Sequence, residues 1–246
     1  MIGNIFEKEP HVFWQETAPA GTYDTAPPEG HRIFFPALLP DGGQLALPIR
    51  ELADGQSALA SLIVNQASFE VVDRLATALA DLARPFSPEV VVGLPTLGLP
   101  TLGLTLAAPA ARNLGHSRFV PLSTSRKFWY REDLSVPLRS ITSPDQTKRL
   151  YLDPRMLPLL KGKRVLLVDD VLSSGTSILA GLRLLKLCGI EPVAIGAAML
   201  QTMRWKEALE QEASGLSERV VGVFRTPKLT RHPGGGWQPE ALDKSA

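Results

Sequence analysis

The sequence predicts an α/β fold built on a parallel sheet, preceded by a small irregular N-terminal segment. Three observations carry this prediction. Short continuous apolar runs recur at 89–92, 119–122, 164–168, 192–200 and 219–224. Segments of helical period or helix-forming composition stand between most of them. Strands apolar along their whole length are buried on both faces, the condition of a parallel sheet covered by helices. Residues 1–55, by contrast, are rich in proline and glycine and show little period. The expected organisation is therefore a hood segment over 1–55, a core over 56–230 and a flexible tail over 231–246.

Within the hood only 32–36 and 45–49 read as strands. In ASFEVVDRLATALADLA, Phe69, Val72, Leu75, Leu79 and Leu82 recur at three- and four-residue steps. Ser68 stands where an N-cap belongs, and Pro85 follows the end. The strand at 89–92 breaks at Gly93. LPTLG then occurs twice, at 94–98 and 99–103. The first copy reads as a loop and the second as the start of a helix through 104–114, with Gly115 as C-cap; two copies are too few for a solenoid. Residues 123–147 are polar, basic and interrupted by Pro137 and Pro144, which predicts a long loop. Helices are expected at 176–188, closed by Gly189, and at 203–211, and HPGGGWQPEALDKSA reads as a poorly ordered tail.

Composition narrows the function. At 246 residues and 44% hydrophobic the chain can bury one full core. Lys plus Arg number 26 and Asp plus Glu 25, so a net charge of +1 gives no general pull toward nucleic acid or an anionic membrane, although a local basic patch stays open. The single cysteine, Cys188, excludes an intrachain disulfide and reads as a buried, inert thiol. His11, His31, His116 and His232 are scattered without ligand spacing. No secretion signal and no run of ~18 apolar residues is present, so a cytoplasmic protein is expected.

Ligands of such sheets bind at the carboxyl ends of strands, which puts 93–103, 123–147 and 169–177 along one edge. VLLVDDVLSSGTS, residues 165–177, is the most informative stretch. Four apolar residues deliver Asp169 and Asp170 to a strand end, and Ser173, Ser174, Gly175, Thr176 and Ser177 open a helix. Helix-terminal N–H groups, hydroxyls and a glycine form a phosphate cradle. The carboxylates suit sugar hydroxyls or a Mg²⁺ ion. A carboxylate pair for a diol beside an N–H cradle describes a ribose 5-phosphate site; each residue taken singly is equally compatible with an ordinary N-cap cluster. Neither G-x-x-x-x-G-K-[ST] nor a strand followed by G-x-G-x-x-G is present. Phe128, Trp129 and Tyr130, beside Arg126 and Lys127, suit either base stacking or packing of the loop on the body.

This stretch resembles the phosphoribosyl pyrophosphate (PRPP) motif of the type I phosphoribosyltransferases. The order of GLPTLG at 93–98, Ser125-Arg126-Lys127 and the acidic motif is most similar to the adenine enzymes, as are 67–80 and, more weakly, PIREL at 48–52. The resemblance implies the type I parallel-sheet, Rossmann-like fold with a hood that sets base specificity, Phe34, Phe35 and Ile49 to Glu51 being the candidates. Asp169 and Asp170 would hold the ribose hydroxyls and meet Mg²⁺. Ser173 to Ser177 would bind the 5-phosphate, and Thr96, Leu97 and Gly98 would meet pyrophosphate. Arg126 and Lys127, joined by Arg131, would neutralise the leaving group. PRPP, a nucleobase and a second copy of the chain are the implied partners.

Two departures stand out. Pro95-Thr96-Leu97 offers one hydroxyl where the adenine enzymes carry an acid and an arginine, and their loop glutamate has no clear counterpart, Asp145 being the nearest carboxylate. The chain is then either a Mg²⁺-dependent phosphoribosyltransferase or a PRPP sensor without turnover. The sensor would ordinarily carry a helix-turn-helix, which residues 1–55 lack.

Overall fold

A computed structural model describes residues 9–95, 101–138 and 148–240. Its strands are β1 Phe34–Leu38, β2 Gln44–Glu51, β3 Ser57–Ala60, β4 Val90–Gly93, β5 Val120–Pro121, β6 Ser135–Leu138, β7 Lys148–Tyr151, β8 Val165–Leu172, β9 Ala194–Gln201, β10 Val220–Thr226, β11 Lys228–Arg231 and β12 Trp237–Pro239. The helices are α1 Phe69–Ala83, α2 Leu102–Asn113, α3 Thr176–Leu187 and α4 Arg204–Glu212.

The core sheet runs β10-β9-β8-β4-β5, with every pair parallel. Successive side chains of a strand point to opposite faces, and both faces of β8 are apolar. Leu166 and Val168 join Leu75, Leu79, Leu106 and Ala107 of α1 and α2. Val165 and Leu167 join Ile178, Leu182 and Leu185 of α3 and Trp205 of α4. The continuous apolar strand runs in the sequence are these doubly covered strands.

Ser68 caps α1 as expected, its Oγ accepting from the Val71 N–H at 3.2 Å. The buried stripe of α1 is Val71, Val72, Leu75, Ala76, Leu79, Ala80 and Ala83. Phe69 and Leu82 flank this stripe and are exposed, at 90% and 37%. A 3.6-residue period carries the stripe onto Ala83 rather than Leu82.

Three expectations are corrected. The chain from residue 231 is not a loose tail as far as residue 240. β11 pairs with β3 and β12 with β11, so an antiparallel sheet β1-β2-β3-β11-β12 joins both ends of the chain. Trp237 fixes this closure: it is buried, exchanges two 2.7 Å backbone hydrogen bonds with His31, and lies under the Arg231 guanidinium at 4.0 Å. This second sheet thus draws on strands from 34–60 and from 228–239. Second, residues 135–138 of the expected long loop pair with 148–151, just beyond it, as the β6–β7 ribbon. Val136, Leu138 and Leu150 bury themselves with α3 residues while Pro137 and Arg149 point outward, so alternate polar positions hid the strands. Third, β8 runs on to Leu172, because the equally long β9 supplies partners for Asp169, Val171 and Leu172.

Cys188 is half-buried, and burial first, then the Asp133 charge, pushes its thiol above the usual range, consistent with an unreactive side chain. Among the described residues no helix is long and apolar enough to cross a membrane.

Candidate functional site

β4 pairs with β5 on one side and with β8 on the other. The chain therefore leaves β4 in one direction and returns on its opposite flank, and in open α/β sheets it is at such a switch that a crevice lies outside the carboxyl ends of the strands. Leu94 continues the β4–β8 ladder, its N–H donating to the Val168 carbonyl at 2.9 Å.

Asp169 and Asp170 lie on β8 beside that crevice, at 2% and 3% exposure. Asp169 Oδ1 accepts from the Asp170 N–H at 2.9 Å. The same oxygen would lie 2.9 Å from a Cβ built on Gly103, in the first turn of α2. The carboxylate thus abuts the positive end of a helix, which favours negative charge. The glycine is required there because that Cβ would also come within 2.4 Å of the Leu94 carbonyl.

After Leu172 the chain turns into α3 through Ser173, Ser174 and Gly175. Gly175 is the N-cap, in the left-handed region at φ +81°, which a side chain at this position would strain. Gly175 gives no side-chain cap; the Thr176 N–H makes a long 3.4 Å contact to Ser174 Oγ, and N–H groups at such a helix start suit an anion. Ser174 Oγ and Thr176 Oγ1 are 2.9 Å apart, setting two hydroxyls at the cradle's edge. The carboxylates and the candidate cradle therefore occupy one strand-to-helix connection.

Arg126 and Lys127 follow β5 at the same edge of the sheet. Arg126 is exposed and pairs with Glu132 at 2.9 Å. Arg131 pairs with Asp133, which raises the arginine's pKa and lowers the carboxylate's. Such exposed pairs contribute little. Phe128 is 96% exposed, whereas Trp129 and Tyr130 pack on the body. Trp129 donates from Nε1 to Asp153 Oδ2 at 3.1 Å, and the Tyr130 ring stands 5.7 Å from that of Tyr151. Thr96, Leu97, Gly98 and Asp145 lie outside the described residues.

Sequence reading missed three residues: Gly103, hidden as the last letter of a doublet, and Asp153 and Arg155, which no local pattern connects to Trp129. The Arg155 guanidinium bonds Asp153 Oδ2 at 2.6 Å and lies 4.2 Å over the Trp129 ring. The hydrogen bonds from the Arg155 guanidinium, its backbone N–H and Trp129 hold the Asp153 carboxyl at about 2. A depressed carboxylate pKa gives stability that is present above the unfolded value of 3.8 and lost as pH falls through about 2. Discounted for the exposed Arg155, the contribution is about 1–2 kcal/mol. Asp153→Asn is expected to be less stable than wild type by this amount at neutral pH, and urea unfolding should show the gap closing between pH 4 and 2.

The fold is that of α/β domains that hold ligands at a strand-to-helix turn. The phosphoribosyl transferase domain model matches residues 60–229, and the chain belongs to the phosphoribosyltransferase family. No curated protein matches the chain by sequence. Solved structures do. APRTase from Giardia lamblia, complexed with 9-deazaadenine, is 21% identical over 64% of this chain and 80% of its own, with a TM-score of 0.51. Adenine phosphoribosyltransferase from Thermoanaerobacter pseudethanolicus is 20% identical over 64% and 81%, with a TM-score of 0.50. The Trypanosoma brucei enzyme, in complex with AMP, pyrophosphate and ribose 5-phosphate, is 18% identical over 78% and 74%, with a TM-score of 0.50. At these identities the likeness establishes the type I phosphoribosyltransferase fold.

Proposed function

We propose that the chain transfers the 5-phosphoribosyl group of PRPP to a purine-type base and releases pyrophosphate, working in the cytoplasm as a homodimer. The observation that carries this is the strand-to-helix connection itself: two buried carboxylates on β8 followed by a glycine-capped helix N-terminus at the crevice of the sheet. The T. brucei relative, solved with AMP, pyrophosphate and ribose 5-phosphate, supports the same ligand set here.

In this reading Asp169 and Asp170 accept hydrogen bonds from the ribose 2- and 3-hydroxyls. The Ser173, Ser174, Gly175, Thr176 and Ser177 loop holds the 5-phosphate through backbone N–H groups and hydroxyls. The bond from C1 to pyrophosphate breaks with its electron pair staying on pyrophosphate, and a ring nitrogen of the base forms the new bond to C1 as its N–H proton passes to solvent. Arg126 and Lys127 offset charge gathering on the leaving group, while Thr96, Leu97 and Gly98 contact it. Among the described residues no cluster of three or more His, Cys, Asp or Glu exists. The Asp169 and Asp170 carboxylates would suit Mg²⁺, which keeps several waters and substrate oxygens beside one or two carboxylates. When bound, Mg²⁺ would supply further neutralisation of pyrophosphate.

The softened pyrophosphate loop at 95–98 favours a second reading, PRPP binding without turnover. Pyrophosphate release from PRPP and Mg²⁺, measured with adenine, guanine, hypoxanthine, xanthine, uracil and orotate, separates them. Release with a purine is expected. Release with a pyrimidine alone would move the acceptor class, and PRPP binding without release for any base would leave the sensor.

A further inference from the structure

The segment carrying Arg126 and Lys127 is tied down at both ends to one short stretch of chain. Ser123 exchanges backbone hydrogen bonds with Tyr151, at 3.0 and 2.8 Å. Six residues later Trp129 donates to Asp153. Around the second tie a turn closes, the Tyr130 N–H donating to the Lys127 carbonyl at 3.0 Å. The second tie is itself braced. Asp153 is 8% exposed and accepts from the Arg155 backbone N–H at 2.9 Å as well as from its guanidinium, which lies over the Trp129 ring. A buried carboxylate with a planar cation and an indole donor fixes both the position and the tilt of the ring. Phe128, set edge-on against that ring at 4.7 Å, projects into solvent.

From this geometry we infer that Trp129, Asp153 and Arg155 form a clamp that positions Arg126 and Lys127 for the pyrophosphate group of PRPP. The three are positioning residues acting through the loop, and they have no part in the ribose 5-phosphate cradle on β8 and α3. The inference rests on the PRPP reading of the site. It deepens that reading by assigning the cations' alignment, through Trp129, to Asp153 and Arg155, 26 to 29 residues away in the chain beyond the β6–β7 ribbon. A free loop would present the same two charges, but ordering them on the ligand would cost side-chain and backbone entropy.

Two probes separate a positioning role from a merely structural one. Titration calorimetry of the full chain with PRPP and Mg²⁺ engages both the cradle and the cations, whereas ribose 5-phosphate engages the cradle alone. Trp129→Ala and Asp153→Ala are expected to weaken PRPP about tenfold while leaving ribose 5-phosphate within about twofold. Trp129→Phe, which keeps the ring under Arg155 but loses the donor, should fall between wild type and Trp129→Ala. Equal losses for both ligands, or a lowered Tm with PRPP affinity unchanged, would overturn the clamp while leaving the PRPP reading intact. A wild-type chain that binds neither ligand would overturn the reading itself, and the clamp with it.

Discussion

Replacing Asp169 and Asp170 together by asparagine is expected to abolish saturable PRPP binding in a chain that remains folded. Hydrogen bonds to a charged acceptor contribute about 1.5–3 kcal/mol each, so losing both charges should raise Kd by two to four orders of magnitude, roughly. Asparagine matches the shape of aspartate, and at 2% and 3% exposure shape is what the surrounding β8, β4 and α2 packing registers. The Asp169 side chain also accepts from the Asp170 N–H, a bond that an amide oxygen can keep. The two positions should therefore differ. Asp169→Asn and Asp170→Asn should each weaken PRPP binding, and Asp169→Asn also replaces the charge beside the first turn of α2 by a neutral amide. Calorimetry with PRPP and Mg²⁺, alongside thermal unfolding, measures both. A double variant that binds PRPP as tightly as wild type would remove the central assignment.

How much of this was legible in the sequence differs by element. The parallel sheet was, because β8 and β9 are apolar on both faces and announce burial through composition alone. So was α1, where one apolar stripe and a serine cap coincide. The acidic motif was legible because its residues are contiguous: strand, carboxylates and helix start follow in one stretch of chain. What failed was whatever depends on distant pairing. β12 lies within HPGGGWQP, whose glycines signal disorder until Trp237 finds His31 and Arg231, roughly two hundred residues from one and six from the other. β6 was masked by Pro137, which an edge ribbon tolerates and a central strand does not. The Trp129 to Asp153 contact joins segments separated by a ribbon whose first strand was itself read as loop. The extent of β8 was short by four residues, because two aspartates argue against a strand until β9 is there to pair with them.

Gly103→Ala tests whether α2 and the site are one mechanical unit. On intrinsic propensity alone, alanine near the start of a helix should stabilise by up to about 1 kcal/mol. Here the new methyl would stand 2.4 Å from the Leu94 carbonyl oxygen, 2.9 Å from Asp169 Oδ1 and 3.1 Å from Asp169 Cα. Two of those three atoms are backbone, so no rotamer change relieves the contact, and α2 must lift from β4 and β8. Overpacking of this kind costs about 1–3 kcal/mol, and with rigid neighbours the upper end applies. A net loss of about 2 kcal/mol is expected from these two terms, read as a lower urea midpoint at unchanged slope. Gly181→Ala in α3 is the control. Its methyl would meet Leu94 Cδ2 at 3.0 Å and Leu167 Cδ2 at 3.2 Å, both ends of flexible side chains that can turn away. Propensity and crowding should then nearly cancel. Because Asp169 is what the Gly103 methyl displaces, the alanine variant should also bind PRPP more weakly under conditions where it is fully folded, while Gly181→Ala should bind as wild type. A Gly103→Ala chain as stable as wild type would mean that α2 adjusts without cost, and that Asp169 owes nothing to the bare face of the helix against it.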